Sequence, residues 1–187
     1  MGYFTDAQGD IGIDRGIVMA TGAAIDGLGP NDASGNGSNV GGNATCPELN
    51  QLTSFGLNDI TTYEITFIPV SDTLSFRYVF ASEEYPEFAC SGFNDVFGFF
   101  INGPNPAGGM YVGENIARVP DLADPSGQTF TNLPVTINNV NPGVGANGNI
   151  MNCTPPNGTT EFDAYYNDNQ GGQNMQYDGY LLSLIHI

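Results

Sequence analysis

Lysine and tryptophan are absent from this 187-residue chain, and histidine occurs once, as His186. Only Arg15, Arg77 and Arg118 face 20 Asp and Glu, which leaves a formal net charge of −17. Nucleic acid phosphates and anionic lipid headgroups are held through Lys and Arg, so no nucleic acid partner is expected. Without lysine there is no amine nucleophile or ammonium base. A single histidine at the end of the chain is poorly placed to activate a Ser or Cys nucleophile, which needs a rigidly held base. No run approaches the roughly 20 apolar residues of a membrane-spanning helix, so no direct membrane insertion is expected. The opening MGYFTDAQGDIG lacks the charged and apolar regions of an export signal. Cys46, Cys90 and Cys153 are an odd set with no CxxC spacing, which argues against zinc. One disulfide plus a free thiol, or three unpaired thiols, remain open.

What is abundant is turn-forming and aromatic. There are 26 Gly and 12 Pro, alongside 12 Phe and 9 Tyr. That mixture favours many short strands joined by tight turns and disfavours long helices. Strands are expected within Gly12–Thr21, at Tyr63–Phe67 before Pro69, at Leu74–Ala81 and Phe97–Ile101, within Tyr111–Val119, at Pro134–Val140 and at Phe162–Tyr166, with Gly179–Ile187 closing the chain. Leu49, Leu52 and Phe55 lie at helical spacing in Pro47–Gly56, enough for a turn or two. Gly22–Cys46, Gly103–Gly109 and Asn141–Thr160 read as loops. The expected fold is all-β: a two-sheet antiparallel β-sandwich, jelly-roll-like, with long Gly/Asn-rich loops and at most one short helix.

The densest chemistry lies between the two central strand signals, in SEEYPEFACSGFND. Glu83, Glu84, Glu87 and Asp95 crowd together with no base among them. Such carboxylates repel one another unless protonated, solvated or neutralised by a cation. Ca²⁺ takes six to eight oxygen ligands, and Glu83, Glu84, Glu87, Asn94 and Asp95 form the expected metal set. The same loop could instead supply the two carboxyl groups of a glycoside-hydrolysing or carbohydrate-binding module. Asp163–Asp178 matches an EF-hand loop only weakly, and Asp6, Asp10 and Asp14 read as a solvated turn. Arg77, alone in mid-strand, is expected to form a structural ion pair.

YVFASEEYPEF (Tyr78–Phe88) followed by FNDVFGFFINGP (Phe93–Pro104) closely resembles the hallmark of the choice-of-anchor L domain. GYFT (Gly2–Thr5), GIDRGIVMATG (Gly12–Gly22), NIARVP (Asn115–Pro120), PVTINNVNPG (Pro134–Gly143), YYNDN (Tyr165–Asn169) and MQYDGY (Met175–Tyr180) continue the likeness in family order. The resemblance implies a bacterial, exported, surface-attached domain, mostly β and without assigned catalysis, serving adhesion or surface structure. Its partner would be a surface glycan or protein, with self-association as a further option. Family members carry an export signal before GYFT and an anchor after the domain. Residues 1–181 are therefore expected to be one domain lacking its N-terminal part. Leu182–Ile187, in place of a Thr-rich continuation, reads as a non-native tail similar to translated adapter sequence.

Overall fold

The computed structural model describes residues 1–26, 38–39, 45–70, 75–124, 126, 129–167 and 179–186, with backbone alone at residues 10, 75, 76 and 179–186. The chain is all-β, in short antiparallel pieces. Strands β1 (Gly2–Thr5) and β2 (Arg15–Val18) form a two-stranded sheet, with Gly2 opposite Val18 and Thr5 opposite Arg15. Between them lies one helical turn, α1 (Gln8–Ile11), which Gly12 ends by turning left-handed at φ 70°. Glycine takes that conformation without a Cβ clash. Ala7 and Ile11 are buried here, against Phe4, Ile13 and Val79.

Strand β3 (Ser75–Ser82) pairs along its whole length with β10 (Gly179–His186), from Ser82 opposite Gly179 to Ser75 opposite His186. Its alternation serves two cores. Val79 looks toward α1, whereas Tyr78 and Phe80 join the main cluster around Ala117, Val119, Val135, Val140 and Phe162. Phe97, Phe99, Phe130 and Leu133 complete that cluster. Strands β4 (Val96–Phe97), β7 (Arg118–Pro120) and β8 (Phe130–Thr136) make a second three-stranded sheet, with β8 in the middle. Strands β5 (Phe100–Pro104) and β6 (Met110–Asn115) form a hairpin, and β9 (Tyr166–Asn167) extends the β10 edge. The GPNPAGG stretch is the hairpin's turn, as its composition requires.

Three expectations need correction. The Phe97–Ile101 pattern does not make one strand: it breaks at Gly98 and Phe99, because β4 pairs with β8 while β5 pairs with β6. Gly98 also lies so close to the Phe100 ring that a Cβ would meet it at 2.5 Å. Pro134–Val140 starts inside β8 but turns after Thr136, where Asn139 and Val140 donate their N–H groups back to the Thr136 carbonyl. Tyr63–Phe67 has a strand's alternation but no ladder partner among the described residues, and every residue from Thr62 to Val70 is exposed. The described strands group into four small antiparallel sheets. The 3₁₀ turn at Leu49–Gln51 fulfils the short helical signal.

Candidate functional site: an acidic corner clamped from behind

The acidic loop leaves β3 at Ser82 and returns to β4 at Val96. One hydroxyl closes its neck: Ser82 Oγ donates to Asp95 Oδ2 at 2.8 Å and accepts the Glu84 N–H at 3.1 Å. Inside the neck the backbone coils through successive turns, Phe88 N–H to Glu84 O, Ala89 N–H to Pro86 O and Ser91 N–H to Phe88 O. Tyr85 anchors these turns. It is fully buried against Ala89, Ile137 and Phe80, its ring meets Tyr166 at 5.0 Å, and its hydroxyl donates to the Val140 carbonyl. A buried tyrosine needs such an acceptor, and the contact ties the loop to the second sheet's end.

The Gly/Asn-rich stretch after β8 is the clamp behind this loop. Gly145 N–H donates to Ala89 O at 3.0 Å, Asn147 N–H to Glu87 O at 2.8 Å and Asn149 N–H to Cys90 O at 2.7 Å. These backbones touch because glycine allows it: a Cβ on Gly145 would press on the Pro86 and Glu87 carbonyls, and one on Gly148 on the Ala89 carbonyl. A disulfide between Cys90 and Cys153, 63 residues apart, completes the clamp, and Cys46 is the free cysteine. Asn138 and Asn141, both fully buried, satisfy backbone carbonyls from within: Asn138 Nδ2 reaches Ser91 O at 3.0 Å, and Asn141 Nδ2 reaches Ile137 O and Thr159 O.

The electrostatics match the crowding. Partial burial, with Asp95 nearby, raises the Glu84 pKa to about 7. Asp95 is an exposed residue, so water reaches it, yet the protein packed around its carboxyl raises its pKa, and the Ser82 hydroxyl only partly offsets this. Burial, then the neighbouring Tyr166 and Asp95, pushes the Tyr85 hydroxyl well above its ordinary value. The corner therefore resists carrying its full negative charge.

Of the five residues expected to hold a metal, Glu84 and Asp95 are brought into electrostatic contact. Glu83 is half-buried beside them on the same loop. Glu87 lies on the side facing the clamp, with Oε2 buried and without a hydrogen-bond partner. Asn94 braces the scaffold: its Oδ1 accepts the Asn138 N–H at 2.9 Å and its Nδ2 donates to Thr53 Oγ1 at 3.3 Å. Among the described residues no three His, Cys, Asp or Glu side chains form a metal-holding group.

Asp6 and Asp14 are exposed, as the solvated-turn reading requires, and Asp14 pairs with Arg15 at 3.0 Å. The side chain of Asp10 and residues 168–178 of the EF-hand-like stretch lie outside what is described. Arg77 donates to the Gly12 carbonyl at 2.5 Å, and among the described residues no ion pair involves it. Sequence reasoning missed Ser82, Tyr85, Asn138 and Asn141 as the parts that shape the corner. For the two asparagines the TINNVN run is the visible signal, an amide cluster just past a strand end.

The comparison with curated proteins gives no match, and neither does that with solved structures. The family model for the choice-of-anchor L domain matches residues 1–185. That family is surface-associated and is not a known enzyme family. No helix among the described residues is long and apolar enough to cross a membrane. With the match running through all four sheets, the acidic corner and the clamp behind it, the chain belongs to the choice-of-anchor L family.

Proposed function

We propose that this chain is a non-catalytic module displayed outside the cell, with an adhesive or surface-structural role toward a glycan or protein. The observation that carries this reading beyond the family match is the Cys90–Cys153 cross-link at the acidic corner. Disulfides persist in oxidising compartments and are rare in the cytosol, so the bond supports export. The acidic, lysine-free surface agrees, since it keeps the domain soluble and unattracted to phosphates. Labelling intact source cells with a membrane-impermeant amine- or thiol-independent carboxyl reagent tests the placement. Recovery of the labelled chain without lysis supports it; a chain protected until lysis overturns it.

Calcium belongs to the finer part of this reading, as an ion that stabilises the corner rather than one that does chemistry. What supports it is the mutual disfavour of the Glu84 and Asp95 charges, which any added cation would relieve. Glu83, Glu87 and Asn94 remain the nearest further oxygen donors along the loop. Calorimetric titration with Ca²⁺ of the native chain, Glu84→Gln and Asp95→Asn decides it. Heat and a rise in Tm only in the native chain are expected; neither signal in any chain removes calcium from the reading. The glycoside-hydrolase alternative is less well served, because Glu84 and Asp95 meet at one neck, joined through Ser82, rather than across a sugar.

A further inference from the structure

A cavity of about 300 Å³ opens beside Asn94, between the Leu49–Gln51 turn, the end of β8 and the Pro156–Asn157 bend. Its volume is at the lower end for small-molecule sites. In a chain with 20 acids its lining carries no charged side chain at all. Instead it presents amides and hydroxyls, chiefly Gln51 and Thr53 with the almost wholly buried Thr136 and Asn139 in its wall, over an apolar floor that includes Leu133 and Pro134.

Two features make this a shaped site rather than a surface dent. The first is bracing between distant segments: Ser54 Oγ donates to Asn157 Oδ1 at 3.3 Å across 103 residues, and Asn94 Nδ2 to Thr53 Oγ1 across 41. Side chains fixed in advance lose little entropy when a ligand arrives. The second is unused hydrogen-bonding capacity of both kinds. Gln51 commits Nε2 to the Pro47 carbonyl and Asn139 commits Nδ2 to the Pro134 carbonyl, so each keeps a side-chain amide oxygen as an acceptor. Thr53 Oγ1 accepts from Phe55 N–H and Asn94, and Thr136 Oγ1 accepts from Asn139 N–H, so each keeps its O–H to donate. A hydroxyl both donates and accepts, so a ligand bearing several of them answers this mixed set.

We infer that the cavity binds a neutral, hexose-sized saccharide unit. The surrounding charge of −17 repels an anionic ligand, and the cavity offers no carboxylate to hold a cation. The C–H faces of a pyranose suit the Leu133 and Pro134 floor, while its hydroxyls address the amides and threonines. This site is distinct from the acidic corner and does not require calcium.

Titrating the ¹⁵N-labelled whole chain with D-glucose, D-galactose, D-mannose and N-acetyl-D-glucosamine, with D-glucuronate as the charged control, tests it. At least one neutral sugar is expected to give saturable shifts at Gln51, Thr53, Asn94 and Asn139, with glucuronate silent. Gln51 is exposed, so Gln51→Leu keeps the fold, checked by an unchanged Tm, and should weaken binding about three- to tenfold. No shifts with any neutral sugar, shifts away from these residues, equal response to glucuronate, or full affinity in Gln51→Leu would each overturn the inference. Because the titration uses free sugar in solution, its failure leaves surface display standing, and failure of cell labelling leaves the cavity chemistry standing.

Discussion

Residues 61–70 read as an aromatic strand and residues 82–95 as an acidic loop, yet the loop is the segment that buries its aromatic. Tyr63, Ile65 and Phe67 alternate as cleanly as Tyr78 and Phe80 do, but they are at least half exposed and Ile68 and Val70 are almost fully so. Tyr85, in a stretch with no regular pattern and four nearby acids, is fully buried. The difference lies in what each segment has behind it. Tyr85 has the Val140 carbonyl, the Tyr166 ring and a glycine-faced clamp cross-linked by a disulfide. The 61–70 segment has the Thr61 hydroxyl on the Ala20 carbonyl and no ladder among the described residues. Alternation makes a face able to be buried; a partner has to bury it.

The comparison breaks most readily at the clamp. Replacing Cys90 and Cys153 together by Ser should cost about 4 kcal/mol, given the 63-residue separation and the loop-closure entropy returned to the unfolded chain. Denaturant unfolding with and without reductant measures this, and a loss below about 1 kcal/mol would mean the corner holds without its cross-link. Next come changes that keep the disulfide. Tyr85→Phe leaves the buried Val140 carbonyl without its donor, and Gly145→Ala forces a Cβ onto the Pro86 and Glu87 carbonyls. Each should cost about 1–3 kcal/mol in the same assay.

The third prediction concerns pH. Glu84 has its folded-state pKa raised from 4.5 to about 7, so the folded chain binds more protons than the unfolded chain between those values. Its contribution is present in full below about pH 4.5 and is lost as pH rises through about 7. Tm followed from pH 4 to pH 8 should show this fall, and Glu84→Gln should flatten it, the remaining slope coming from Asp95. An unchanged slope would assign the titration elsewhere. The smallest effect is expected in the open segment: Ile65→Ser should shift stability by no more than about 0.5 kcal/mol, as for a surface site. A loss of several kcal/mol there would show that residues 61–70 are buried against something and would dissolve the contrast.

Much of this was readable in advance where neighbours in sequence are neighbours in space. The GPNPAGG turn, the short helical segment near Leu49 and the crowded carboxylates all follow from local chemistry. Less readable was the split of Phe97–Ile101 between two sheets, since it depends on which partner each half meets. The Asn141–Thr160 stretch reads as loop from its composition and is one, but nothing local shows that it is also the wall behind the acidic corner. In the sequence Glu84 and Asp95 are two of five crowded oxygen donors. That these two repel each other while Asn94 serves as a brace comes from the folds of distant segments around them.

By itself the sequence determined the all-β class, the absence of a basic surface and the acidity of the loop. Those rest on composition, turn residues and period-two alternation, which act over a few residues. Only the tertiary structure decided which cysteines pair, which aromatic is buried and which carboxylates share a field. Those depend on approach between segments tens of residues apart, and the glycines that permit the approach carry no side chain to announce it.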